Sequence, residues 1–210
     1  MPDPSPSALS HGLSVRGLGS PFAGPFNFDV PRGECLVITG MSGTGKSVLL
    51  RMIADLDPHG GDAMLDGRSC AAMPAHRWRR QVQYLPAEPG WWSDSVLDHM
   101  PDDAATRALM ARTGLRDGLL RDPVHRLSTG ERQRLALVRG LRLQPQVLLL
   151  DEPCSALDEA TTAKVESLLR AEKDKGAVII LVSHDPAQAD RMADRRHHME
   201  QGRFSGARAA

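Results

Sequence analysis

Four short apolar runs recur along the chain, at Cys35–Thr39, Val82–Leu85, Val147–Leu150 and Ala177–Val182. Each has the length of a strand. Helical periodicity lies between or after them, over Lys46–Ala54, Asp102–Thr113, Thr129–Leu143, Ala156–Lys173 and Pro186–Ala193. Strands alternating with helices predict an α/β fold with a mostly parallel sheet. Leu13–Arg16 and Phe26–Asp29 lie close together with no helix between them and with turn signals around them, SPFAGP and PRGE. They predict an N-terminal antiparallel β segment. From about Ala87 to Leu127 the pattern breaks into short helices and tryptophans with no convincing strand, which reads as a helical insertion between two halves of the core. The expected organisation is a short disordered lead-in over 1–10, then a single domain over 11–210 with a helical subdomain at about 87–140.

Composition narrows the classes. Lys plus Arg and Asp plus Glu both count 26 in 210 residues. That balance gives no footprint for nucleic acid or an anionic membrane. No apolar run approaches the ~20 residues of a membrane span, and MPDPSPSALS lacks the regions of a signal peptide. Cys35, Cys70 and Cys154 are odd in number and widely spaced, against a disulfide framework or a zinc site. A cytosolic, soluble chain is expected.

The candidate chemistry begins after CLVIT. The run Gly40, Met41, Ser42, Gly43, Thr44, Gly45, Lys46, Ser47 has the pattern G-x-x-x-x-G-K-S, between a predicted strand and a predicted helix that continues through Val48. Its glycines let backbone N–H groups wrap a phosphate at a helix start. Lys46 would reach the β- and γ-phosphates, and the Ser47 hydroxyl would ligate Mg²⁺. The rival, a tight turn that merely matches, is disfavoured by both flanks. A nucleoside triphosphate site is the reading.

Val147–Leu150 ends in Asp151 and Glu152. An Asp there holds Mg²⁺ in phosphate-loop proteins, and Glu152 is placed to accept a proton from an attacking water. Ser155–Asp158 follows, opening another helix, and Ser183-His184-Asp185 follows AVIILV. A lone His at a strand end is more often structural, but His184 ends the strand next in order to the acidic pair. LSTGERQR, Leu127–Arg134, reads first as a helix start, with Ser128 and Glu131 forming a capping box.

GMSGTGKS, LSTGERQR, VLLLDEP, SALD and VSHD, in this order, resemble the nucleotide-binding subunit of an ATP-binding cassette (ABC) transporter, over about Leu13 to Phe204. The resemblance implies a phosphate-loop NTPase core binding ATP and Mg²⁺. It implies that Ser128, Thr129, Gly130 and Glu131 face ATP held by the phosphate loop of a second copy in an ATP-dependent head-to-tail dimer. It implies that Glu152 polarises water, that His184 contacts the γ-phosphate and that Asp158 links the two sites. Closing and opening would drive an integral membrane permease, leaving the cassette peripheral on the inner face of the membrane. The short chain also looks like small cassettes of metal or other export systems.

Three positions depart from the family. Ala87 stands where a Gln usually relays nucleotide state, which implies slow turnover. Leu18 stands where an aromatic usually stacks on adenine, leaving Phe22 as the nearby candidate. Thr129 replaces the second glycine of the signature. Trp91-Trp92 reads either as packing of the insertion or as the lining of a permease-docking groove. The rival functions are a non-transport ABC ATPase and a regulatory nucleotide-binding module with little turnover.

Overall fold

The structure, a computed structural model, describes residues 12–205, so the predicted lead-in at 1–10 lies outside the described residues. The chain opens with an antiparallel hairpin, β1 (Gly12–Ser20) and β2 (Ala23–Pro31), followed by β3 (Cys35–Thr39) and α1 (Lys46–Ile53). Next come β4 (Gly60–Leu65), β5 (Arg68–Ser69), α2 (Ala75–Gln81) and β6 (Val82–Leu85). The insertion carries short 3₁₀ turns and α3 (Ala104–Arg112), and leads into α4 (Thr129–Leu141). The second half is β7 (Val147–Asp151), α5 (Glu159–Asp174), β8 (Val178–Val182), α6 (Pro186–Met192), β9 (Arg195–Glu200) and β10 (Arg203–Ser205).

Two sheets result. One is antiparallel, in the order β2-β1-β4-β5. The other has the order β10-β9-β3-β8-β7-β6, parallel throughout except for β10 at its edge. Successive side chains on a strand point to opposite faces, and the core divides accordingly. Leu36, Ile38, Leu149, Ile180 and Val182 turn toward the antiparallel sheet and α1, packing with Val15, Phe26, Leu49 and Ile53. Cys35, Val37, Leu148, Leu150, Ile179 and Leu181 turn the other way, onto Leu137 of α4, Val165 and Leu169 of α5, and Met192 of α6. Both faces are dry, which is why these strands read as unbroken apolar runs. Each fully buried Leu or Ile contributes about 1.5–3 kcal/mol.

The insertion has a third apolar cluster, in which Val96, Met110, Leu119, Leu120 and Val124 close on Leu135 and Val138 of α4. Helix α4 therefore serves two cores, with Leu137 and Leu141 on one side and Leu135 and Val138 on the other.

Five elements were not anticipated: β4, β5, α2, β9 and β10. Helix α2 is polar apart from Ala75 and Trp78, and Trp78 is fully buried and donates its indole N–H to the Ile53 carbonyl at 2.8 Å. The helix predicted from Ala156 starts at Glu159, because Asp158 takes the cap and accepts the Thr161 N–H at 2.7 Å.

Candidate nucleotide site

Parallel pairing sets the site. In register, Asp151 lies opposite Val182, and β8 also flanks β3, so the segments after β3, β7 and β8 open along one edge of the sheet. Ligand sites of α/β sheets lie at such carboxyl ends.

The loop from Gly40 to Gly45 leaves β3 and runs into α1. Gly40, Gly43 and Gly45 have φ values of 140°, 78° and 101°, where an L side chain is strained. A Cβ on Gly40 would also lie 2.3 Å from the Met199 carbonyl oxygen, so only glycine passes beside β9. The turn after β9 clips this loop in place: the Gly202 N–H donates to Thr44 O at 3.0 Å, and the Gly24 N–H donates to Gly202 O at 2.7 Å. Lys46 is 5% exposed and folds back to donate to the carbonyls of Gly40 and Met41, both at 2.8 Å. Burial draws its ammonium below the ordinary lysine range, against the opposing pull of Glu152 and Asp151. Met41, Ser42 and Ser47 are exposed, and Val48 is half-buried.

Asp151 ends β7 at 6% exposure and accepts the Tyr84 hydroxyl at 3.2 Å. Burial, with the charge of Asp151 behind it, pushes the Tyr84 phenol well above its usual range, so it stays a donor. Glu152 follows with φ 49°, a left-handed conformation rare outside glycine, and is tethered by its N–H to Val182 O at 3.0 Å. That twist turns its carboxylate toward β8, where His184 Nε2 lies 2.9 Å from Glu152 Oε1. The acid and the histidine meet because β7 and β8 are neighbours. An exposed serine hydroxyl and a carboxylate with a free oxygen make an oxygen donor set that suits Mg²⁺.

At the start of α4 the capping box is complete. Ser128 Oγ accepts the Glu131 N–H at 3.2 Å, and Glu131 Oε2 accepts the Ser128 N–H at 2.9 Å. Ser128 and Thr129 are exposed, and the Thr129 hydroxyl accepts from Arg132 at 3.3 Å. Gly130 is buried against the loop after β7: a Cβ there would lie 2.9 Å from Ala156 O and from Leu157 Cδ2. Among the described residues no hydrogen bond or ion pair joins 40–47 to 127–134. Asp158 is exposed, and the Thr161 N–H holds its carboxyl below the ordinary range.

Leu18 is fully buried in the core, whereas Phe22, at the tip of the β1–β2 hairpin beside Gly202, is 83% exposed. Two residues passed over in the sequence also belong here. One is Tyr84 on Asp151. The other is Gln133, which touches both the Ala87 carbonyl and Ser155.

A groove of about 420 Å³ runs from Gln83–Pro86 to the end of α4. Trp92, 71% exposed, stands on its rim against His99, with ring centroids 3.8 Å apart. The Arg139 guanidinium lies 4.8 Å from the Trp91 ring centre and 5.3 Å from that of Trp92. The charged residues of the wall are Arg139 and Arg142, with no acid among them.

Comparison with known proteins gives the family. Residues 24–155 match the family described as ABC transporter. The chain is 33% identical over 196 residues to the "Probable iron export ATP-binding protein FetA" of Escherichia coli (strain K12), covering 85% of this chain and 87% of that protein. It is 39% identical over 184 residues to the "Aliphatic sulfonates import ATP-binding protein SsuB" of Cupriavidus necator, covering 84% of this chain and 60% of SsuB. The solved structure of cbiO1 from Clostridium perfringens, part of the ABC transporter complex cbiONQ, superposes with a TM-score of 0.76 at 25% identity. That match covers 94% of this chain and 88% of cbiO1. The chain belongs to the ABC transporter family, in its class of ATP-binding subunits, a family of ATPases. No helix among the described residues is long and apolar enough to cross a membrane.

Proposed function

We propose that this chain hydrolyses ATP in a head-to-tail dimer of two copies and thereby powers a membrane permease. The observation that carries the reading is the Glu152–His184 pair, 2.9 Å apart beside the phosphate loop. The loop N–H groups and the N-terminus of α1 take the phosphates. Lys46 leaves the carbonyls of Gly40 and Met41 for the β- and γ-phosphates. Glu152 accepts a proton from the attacking water, and His184 fixes Glu152 and donates toward the γ-phosphate. Mg²⁺, when bound, neutralises charge on the phosphate oxygens, and Ser47 and Asp151 would hold it. Phe22 stacks on the base in place of the buried Leu18.

The signature completes the site of the partner copy. Ser128 and the N–H groups of Thr129 and Gly130 sit at a helix start where Ser128 and Thr129 are exposed and an anion is favoured, while Glu131 keeps Ser128 in place through the capping box. The absence of any bond from them to their own phosphate loop supports a site assembled between copies. Asp158 lies in the loop that packs on Gly130 and links the two sites. A slow cycle follows from Ala87, which has no side chain to relay nucleotide state.

The groove at Trp92 is where the permease docks, and its apolar wall with the Arg139 guanidinium suits a cytoplasmic helix with apolar and acidic residues, Arg142 being paired with Asp103 at 2.6 Å. For direction we propose export, following the likeness to FetA, which is matched over 87% of its length. The test is steady-state ATPase with Glu152→Gln, which should lower kcat by about 10²–10⁴-fold, the range for general-base removal, with nucleotide binding retained. Turnover that survives the substitution would remove Glu152 from this role. A wild-type chain that binds ATP without turning it over would instead be a regulatory module.

A further inference from the structure

Gln133 lies on α4, five residues beyond Ser128, and is 8% exposed. Its Nε2 donates to the Ala87 carbonyl at 3.0 Å and to Ser155 Oγ at 3.1 Å. The orientation of the amide is fixed by its neighbours, because a carbonyl can only accept and so must face the NH₂ end. Each of the two contacts ties down a different functional segment. Ala87 lies between Pro86 and Pro89, both in the wall of the Trp92 groove. Ser155 donates its N–H to the Glu152 carbonyl at 3.2 Å, so it belongs to the tight turn that sets the catalytic carboxylate. One carboxamide therefore bridges the docking groove, the signature helix and the turn that holds Glu152.

From this bridge we infer that Gln133 is the positioning residue that passes nucleotide state from the Glu152 turn to the groove through the backbone at Ala87. The inference rests on the proposed function and specifies how its two surfaces communicate. When the 152–155 turn shifts on nucleotide, Ser155 moves relative to α4. The shared NH₂ group then draws the Ala87 carbonyl after it or releases one of its two partners. Either event displaces the segment 86–92 on which Trp92 stands. The route needs no side chain at position 87, because it uses the backbone oxygen there.

Trp92 reports on this directly. It is 71% exposed on the segment it shares with Trp91, whereas Trp78 is fully buried and does not line the groove. The experiment titrates full-length chain with a Mg²⁺-bound non-hydrolysable ATP analogue, reading tryptophan emission and, separately, nucleotide affinity by calorimetry. Wild type should show an emission shift on binding. Gln133→Met, which keeps the volume and removes both donors, should bind with an affinity within about twofold of wild type and lose the shift. Ser155→Ala breaks the same bridge at an exposed residue, so folding is not at stake, and should lose the shift as well. Gln133→Glu, isosteric but without the donors, should behave like Met. A merely structural Gln133 would lower thermal stability and leave the shift intact in Ser155→Ala. Survival of the shift in Gln133→Met or Ser155→Ala overturns the inference, as does a wild-type chain that binds nucleotide with no shift. A wild-type chain that binds no nucleotide defeats the proposed function itself.

Discussion

Gly130→Ala separates the folding role of the signature helix from the anion-binding role proposed for it. Gly130 has no positive φ, so alanine is acceptable to its backbone, and the obstacle is space. The new methyl would lie 2.9 Å from both Ala156 O and Leu157 Cδ2, so one of two packed segments must move. Overpacking of this kind costs about 1–3 kcal/mol. Against it, alanine in a helix is favoured over glycine by about 1 kcal/mol. The balance is a loss of about 0–2 kcal/mol, or a fall in Tm of at most ~8 °C for a chain of this size. The displaced segments, however, are the helix start bearing Ser128, which the proposed dimer sets at the partner's phosphates, and the loop bearing Asp158, which it sets between the two sites. Steady-state ATPase should therefore fall by at least about tenfold while the melt stays cooperative and ATP still binds the monomer, since one misplaced donor costs catalysis far more than stability. A variant with wild-type turnover would refute the reasoning, because Gly130 would then not need to sit against that loop for the site to work.

Three further outcomes follow from the same geometry. Phe22→Ala should raise the KM for ATP with kcat little changed, since stacking on a base is worth about 1–3 kcal/mol; an unchanged KM removes Phe22 from the base site. Trp92→Ala should abolish co-purification with the membrane subunit and leave ATP binding intact, and loss of both together would speak against the groove. Glu166 is 1% exposed and bound by Arg191 Nη2 at 2.7 Å and Arg170 Nη2 at 3.1 Å. Burial pushes its carboxyl up, but the Arg191 bonds and charges prevail and hold it below 4.5. The unfolded chain therefore takes up that proton first, so Glu166 stabilises the fold above about pH 4.5 and loses that contribution as pH falls through its lowered folded value. Urea midpoints measured across this window should slope in wild type and lose part of the slope in Glu166→Gln; identical slopes would contradict the assignment.

The candidate site was legible because it lies in contiguous stretches. Gly40–Ser47, Asp151-Glu152 and Ser128–Glu131 each carry their geometry with them, as a loop, a strand end and a helix cap. The central strands were legible because burial on both faces makes them apolar throughout. What escaped was held by few side chains. Strand β9, RRHHME, buries only Met199, and His197 stacks on Phe204 at 4.3 Å, a pairing that no periodicity announces. Helix α2 buries only Trp78. Two signals were nonetheless available. Asp66-Gly67 and Gln201-Gly202 have φ values of 49° and 76°, and 47° and 76°, the pattern of tight hairpin turns, and X-Gly between short runs marks such turns. Reading them would have found β4–β5 and β9–β10, and with the latter the clip on Thr44. The bridge made by Gln133 was beyond reach, because it joins residues 46 and 22 positions apart through a fold that only the sheet order defines.

The central claim is that LSTGE completes a phosphate site on another copy, and light scattering of Glu152→Gln with and without Mg-ATP tests it most directly. The expected result is a mass near 22.8 kDa without nucleotide and twice that with it. A protein that binds ATP and keeps the monomer mass would contradict the account.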